Sequence, residues 1–177
     1  AFVSDYVRLY VIYTYGGIYL DTDVELIKTL DNFLKYKAFF ASENNKNINT
    51  GLGFGAIKNN KTVKLLLDSY ENLEFKNKET GILDITPCTH RNTEELIKKY
   101  GTLEEKMNSF IEDDVILLGK EYFCPFDSKT GKMIKTNKTV GIHWFNASWR
   151  NKKINIQEKL LRPVKRIIGI ENFEKIK

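Results

Sequence analysis

Asp21 and Asp23, one residue apart at the end of the apolar run Ile18-Tyr19-Leu20, are the side chains of this 177-residue chain best placed to do chemistry. Two carboxylates held that close repel each other unless one takes up a proton or a cation lies between them. A hard divalent ion, Mg²⁺ or Mn²⁺, bound through a carboxylate and the phosphates of a substrate resolves the repulsion. The spacing alone carries little weight, because nine aspartates in a chain of this length give about half such a pair by chance. The neighbourhood adds to it. Asp5 and Arg8, in Ser4-Asp5-Tyr6-Val7-Arg8, are three apart and so share one face of a helix, near an N-terminus whose dipole favours anions.

Positioning these groups requires a helix followed by a strand. Ser4 reads as an N-cap, Asp5 as a first-turn acid, and the apolar and aromatic residues through Tyr15 as a helix that Gly16 ends. The Gly16-Gly17 break then feeds a buried strand over residues 18–20, whose alternation puts Tyr19, Asp21 and Asp23 on one face and Ile18 and Leu20 in the core. A helix packed beside that strand brings Asp5 and Arg8 to the pocket the two aspartates face.

Further along, residues 24–34 read as an exit strand and a short helix, Ala38–Ala41 as a core strand, and the Asn-rich residues 43–50 as a loop. Gly51, Gly53 and Gly55 allow close approach of a ligand or a neighbouring strand, and their spacing does not fit a dinucleotide fingerprint. Residues 61–73 are predicted as an amphipathic helix, 74–87 as a polar loop, and 93–100 as a helix capped by Asn92 or Thr93, with His90 exposed in a loop before it. Val115–Leu118 and Tyr122-Phe123 read as strands, Asp113-Asp114 as a polar lead-in, and residues 127–131 as a hairpin turn. Residues 140–142 read as a strand that delivers His143. Its imidazole is either a ligand suited to Mn²⁺ or a buried, hydrogen-bonded side chain. From Lys152 the chain is basic and helical, with Ile156, Leu160, Leu161, Val164, Ile167 and Ile168 as an apolar stripe, and Pro163 predicts a kink or break near Leu161-Arg162. Such a tail either lies on an anionic membrane surface or packs its stripe on the domain.

Composition sets the outer bounds. At 42% hydrophobic and 12% aromatic the chain can bury one core, so it reads as one domain without repeats, leader peptide or membrane-spanning run. A net charge of +5 would suit an anionic partner, but the 28 Lys and Arg are dispersed among 23 acids and no nucleic-acid motif is present, so nucleic acid is not expected. Cys88 and Cys124 lack metal-ligand spacing and read as reduced thiols of a cytosolic protein.

The string S-D-Y-V-R-L-Y-x₅-G-G-I-Y-L-D-T-D over residues 4–23 resembles the signature of glycosyltransferases with a sugar-binding region containing a D-x-D motif, family 32, and more distantly the glucosylating domains of large clostridial toxins. Residues 121–132 also resemble bacterial capsule-synthesis members of that family. The resemblance implies an α/β, Rossmann-type GT-A core over residues 1–151, lacking the N-terminal strand and helix that bind the nucleotide base, and a helical tail over 152–177. It implies retaining transfer of a hexose or N-acetylhexosamine from a nucleotide diphosphate sugar, UDP foremost, to a polysaccharide or lipid-linked oligosaccharide, with Mn²⁺ or Mg²⁺. Asp5 and Arg8 would hold sugar hydroxyls and Tyr19 and Asn49 would line the donor pocket. Asp21 and Asp23 would serve sugar and metal, His143 would be a metal or phosphate ligand, and Ser148 and Trp149, closing over the diphosphate, would contact the metal and the β-phosphate. The implied location is cytoplasmic, with the tail against the inner face of the cell membrane. Two other readings stand beside it: a phosphohydrolase of the haloacid dehalogenase type with Asp21 as nucleophile, and a truncated sugar-nucleotide-binding remnant without turnover.

Overall fold

A computed structural model describes residues 2–71, 73–76, 78–146 and 152–176. The chain begins with α1 (Phe2–Tyr15), which stops at Gly16, and continues through β1 (Gly17–Tyr19), β2 (Val24–Leu26), β3 (Ala38–Ala41) and β4 (Phe54–Ala56). Helices α2 (Lys61–Asp68) and α3 (Cys88–Tyr100) precede β5 (Phe110–Ile111), β6 (Val115–Leu118) and α4 (Lys120–Phe123). Then come β7 (Gly141–His143), α5 (Lys152–Ile168) and α6 (Ile170–Ile176). No described helix is long and apolar enough to cross a membrane.

Five strands form a mixed sheet in the order β1-β4-β3-β6-β5, in which β3 and β6 run parallel and the other pairs antiparallel. All four residues of β3 are buried, as expected of a central strand covered on both faces. Strand alternation splits them between two cores. Ala38 and Phe40 join Leu9, Ile12, Phe54, Val63, Leu66 and Leu96 beneath α1, α2 and α3, whereas Phe39 and Ala41 join Leu52, Ile116, Leu118 and Phe123 on the other face. Gly55 belongs to this packing: a Cβ there would lie 2.6 Å from the Phe39 ring, so at this position the alternate glycines serve a neighbouring strand. A second, two-stranded antiparallel sheet pairs β2 with β7.

Several local expectations are corrected. Ser4 lies inside α1, which begins at Phe2, so it is not the N-cap. Strand β1 is a half-exposed edge strand, and Asp21 and Asp23 lie in the turn that follows it, beyond its pleat. Helix α2 ends at Asp68, short of residue 73. Helix α3 starts at Cys88 after Pro87, which places His90 within the helix; Asn92 and Thr93 are buried and bond the 48–50 loop, so they do not cap. Tyr122 and Phe123 are helical, since two apolar residues cannot distinguish strand from helix by periodicity. Helix α5 runs through Pro163, and the interruption falls at Gly169.

Candidate active site

The turn after β1 carries Asp21 and Asp23 because the chain must leave the edge of the main sheet and enter β2. Backbone bonds fix it: Asp21 N–H donates to Gly51 O at 2.9 Å and Val24 N–H to Asp21 O at 3.1 Å. Helix α1 lies against β1 and buries Asp5 and Arg8 on its inner face. The Arg8 guanidinium forms an ion pair with Asp5, Nη2 lying 2.8 Å from Oδ1, and stands 3.6 Å from Asp21 Oδ1. It also stacks over the Tyr19 ring, 4.9 Å from its centroid, while the Tyr19 hydroxyl donates to Asp21 Oδ1 at 2.9 Å. Asp21 is thereby aimed by a strand residue and a helix residue together.

Asp23 is held from the other side. Register pairs Val24 with His143, and Trp144 N–H extends the ladder by donating to Asp23 O at 3.0 Å. His143, buried, brings Nε2 to 3.0 Å from Asp23 Oδ1, and Asn146 N–H donates to Asp23 Oδ2 at 2.8 Å. Phe145 adopts φ +50, a left-handed conformation rare for a bulky residue, and stacks edge-on against the imidazole at 4.1 Å. Trp144 Nε1–H donates to Glu25 at 3.0 Å, and the Trp144 ring packs on Phe126.

Gly51 is a site residue that its alternation with Gly53 and Gly55 hinted at without locating. A Cβ there would lie 2.3 Å from Asp21 Oδ2 and 3.0 Å from Arg8 Nη1. Asn49 shapes the same loop: its Oδ1 accepts from Gly51 N–H at 2.8 Å and its Nδ2 donates to Glu43 at 3.1 Å. Gly51→Ala is expected to force Asp21 or the loop aside at a cost of about 1–3 kcal/mol, read as a lowered urea midpoint. A midpoint equal to wild type would contradict this packing.

The Cys88 thiol, which no sequence signal tied to the site, is coupled electrostatically to Asp5 and Arg8 from the start of α3. Burial pushes the Asp5 carboxyl up from its usual range, against the pull of Arg8. Burial also opposes the Arg8 charge, but Asp21, Cys88 and Asp5 outweigh it and hold the guanidinium firmly protonated. Cys88 and Cys124 are free, and burial pushes each up to about 12. Both thiols are therefore expected to react with iodoacetamide at pH 8 at least about 100-fold more slowly than in the urea-unfolded chain. Labelling at the unfolded rate would contradict it.

Asp21, Asp23 and His143 each offer a ligand atom, all within 4.8 Å of one another. Arg8 faces two carboxylates, Asp5 and Asp21, and Asp23 converges with Asp21 on the other side, so the site holds more acids than cations and a cation would offset the excess. The 3.0 Å between His143 Nε2 and Asp23 Oδ1 matches the roughly 3.0 Å between adjacent ligands of an octahedral ion with bonds near 2.1 Å. Two carboxylates with one imidazole suit Mn²⁺ better than Mg²⁺, which prefers oxygen ligands throughout. These residues fit a divalent ion. Ser148 and Trp149 lie outside the described residues.

Residues 1–40 match the family described as the glycosyltransferase sugar-binding region containing the DXD motif. The match includes Asp5, Arg8, Tyr19, Asp21 and Asp23, and with the mixed α/β fold and its parallel strand pair it supports a glycosyltransferase. No curated protein and no solved structure matches the chain.

Proposed function

We propose that this chain is a retaining, metal-dependent glycosyltransferase of the GT-A type, family 32-like, that moves a hexose or N-acetylhexosamine from a nucleotide diphosphate sugar, with UDP as the nucleotide. A growing polysaccharide or lipid-linked oligosaccharide, as in capsule synthesis, is the acceptor. The observation that carries the reading is the convergence of Asp21 and Asp23, which lie with the buried Asp5–Arg8 pair in the stretch matched to a sugar-binding region, with His143 from β7 outside that stretch.

In this reading Asp23 and His143 hold a Mn²⁺ or Mg²⁺ ion, with Asp21 shared between ion and sugar. Bound there, the ion supplies positive charge where the departing diphosphate accumulates negative charge. Asp5 and Arg8 present a carboxylate and a fork of N–H donors to sugar hydroxyls, a combination that orients a ring without covalent bonding. Tyr19 walls the pocket and keeps Asp21 aimed, Asn49 holds the loop under it, and Ser148 and Trp149 contribute from the segment after β7. Retention needs no protein nucleophile when the acceptor attacks the face the diphosphate leaves.

Incubation with UDP-glucose, UDP-galactose, UDP-N-acetylhexosamines and GDP-mannose, read by release of nucleoside diphosphate, tests the class. Release from at least one donor is expected, and release from none overturns the enzymatic reading. The phosphohydrolase alternative gains nothing from the geometry: Asp21 Oδ1 accepts from Tyr19 and faces Arg8.

A further inference from the structure

Helix α5 sits on the domain the wrong way round for a surface helix of a soluble protein, which ordinarily buries its apolar stripe and shows water its polar side. Its described contacts with residues 126–131 run through two arginines. Arg162 Nε donates to Ser128 O at 3.0 Å, and Arg166 donates to Thr130 O through Nε at 3.2 Å and Nη2 at 2.9 Å. The Arg162 guanidinium also stacks over the Phe126 ring at 5.2 Å, and both arginines close over Gly131. Ile156, Leu160, Val164 and Ile167, spaced four, four and three apart, lie on another side of the helix. They are 58%, 71%, 43% and 84% exposed. A row of four large aliphatic side chains facing water is costly unless something covers it.

Charge indicates what does. Helix α5 carries six basic residues and one acid; Arg162 and Arg166 face the domain, and on the helical projection Lys159 and Lys165, whose ammonium also lies 5.3 Å from the Phe173 ring, border the apolar face on either side. An apolar face rimmed by cations matches an anionic lipid surface, where aliphatic side chains enter the acyl boundary and lysines remain among the headgroups. We propose that the outward face of α5 is a membrane-docking surface selective for anionic lipid bilayers. Its seat has a functional consequence. The hairpin that α5 grips packs through Phe126 on Trp144, the residue after His143, so a docked helix holds the candidate active site at the bilayer. Resting on the proposed transferase activity, this favours the lipid-linked member of the acceptor pair.

Flotation of the whole chain with vesicles of phosphatidylcholine alone and of phosphatidylcholine with phosphatidylglycerol tests the surface. The chain is expected to float with the anionic vesicles and not with the neutral ones, and to be released by added salt. The variant Leu160→Asp with Ile167→Asp, whose fold is checked by circular dichroism, is expected to bind anionic vesicles at least about tenfold more weakly. Equal binding to both vesicles, or undiminished binding by the variant, overturns the proposal. So does a wild-type chain that ignores vesicles but self-associates through this face, seen as a light-scattering mass that the variant reduces. Both substituted residues lie outside the candidate active site, so donor binding by the variant, measured separately, distinguishes failure of the docking surface from failure of the transferase reading.

Discussion

Asp23→Asn is expected to lower turnover by about 10²–10³-fold, equivalent to about 3–4 kcal/mol of transition-state stabilisation, while leaving the fold intact. The substitution is close to isosteric. Asn146 N–H at 2.8 Å still finds a carbonyl oxygen at the position of Oδ2, and the β2–β7 ladder bond from Trp144 to Asp23 O is backbone and unaffected. What disappears is one unit of negative charge at the point where His143 and Asp21 converge. The loss should fall on kcat for release of nucleoside diphosphate, with circular dichroism and the urea midpoint close to wild type. Undiminished metal-dependent turnover in this variant would remove the site from its assigned place.

Arg8→Met is expected to destabilise the chain by about 3–5 kcal/mol, because the Arg8 side chain is 7% exposed and its partner Asp5 is 11% exposed. Removing the cation strands a buried carboxylate beside a second one at Asp21. The loss is pH-dependent, and its sign follows from Asp5. Burial already lifts the Asp5 carboxyl above its usual range, and without Arg8 nothing comparable pulls it down. The folded variant therefore binds a proton more readily than the unfolded chain does, so stability is gained as pH falls through that raised value and lost as pH rises through it. The urea midpoint of Arg8→Met should climb as pH falls from neutral through that raised value. Replacing Asp5 by Leu in the same chain should recover much of the loss, since an apolar pair of similar volume avoids the buried charge. A midpoint close to wild type, or one that falls on acidification, would show that the pair is solvated.

Local features of the sequence were the legible ones. Gly16 after an apolar helix and the fully apolar Ala38–Ala41 each declare their conformation within a few residues. Long-range pairing did not show. That β1 is an edge strand depends on β4, about 35 residues later, and that Asp23 meets His143 depends on the β2–β7 register across some 120 residues. The apolar pattern of Val24–Leu26 is compatible with many partners. Side chains that cap in isolation can serve elsewhere for a related reason. Asn92 and Thr93 spend their polar groups on Thr50 and Ile48, a tertiary demand that overrides local preference. The Cys88 thiol coupled to Asp5 and Gly51 beneath Asp21 were hidden likewise, since each matters only through a neighbour distant in sequence.

Calorimetric titration of a UDP-sugar into the chain, with Mn²⁺ and then with the ion removed by chelator, bears most directly on the central claim. The account predicts saturable binding that depends on Mn²⁺ and weakens sharply in Asp23→Asn. Binding of equal strength after chelation, or none under either condition, would contradict it.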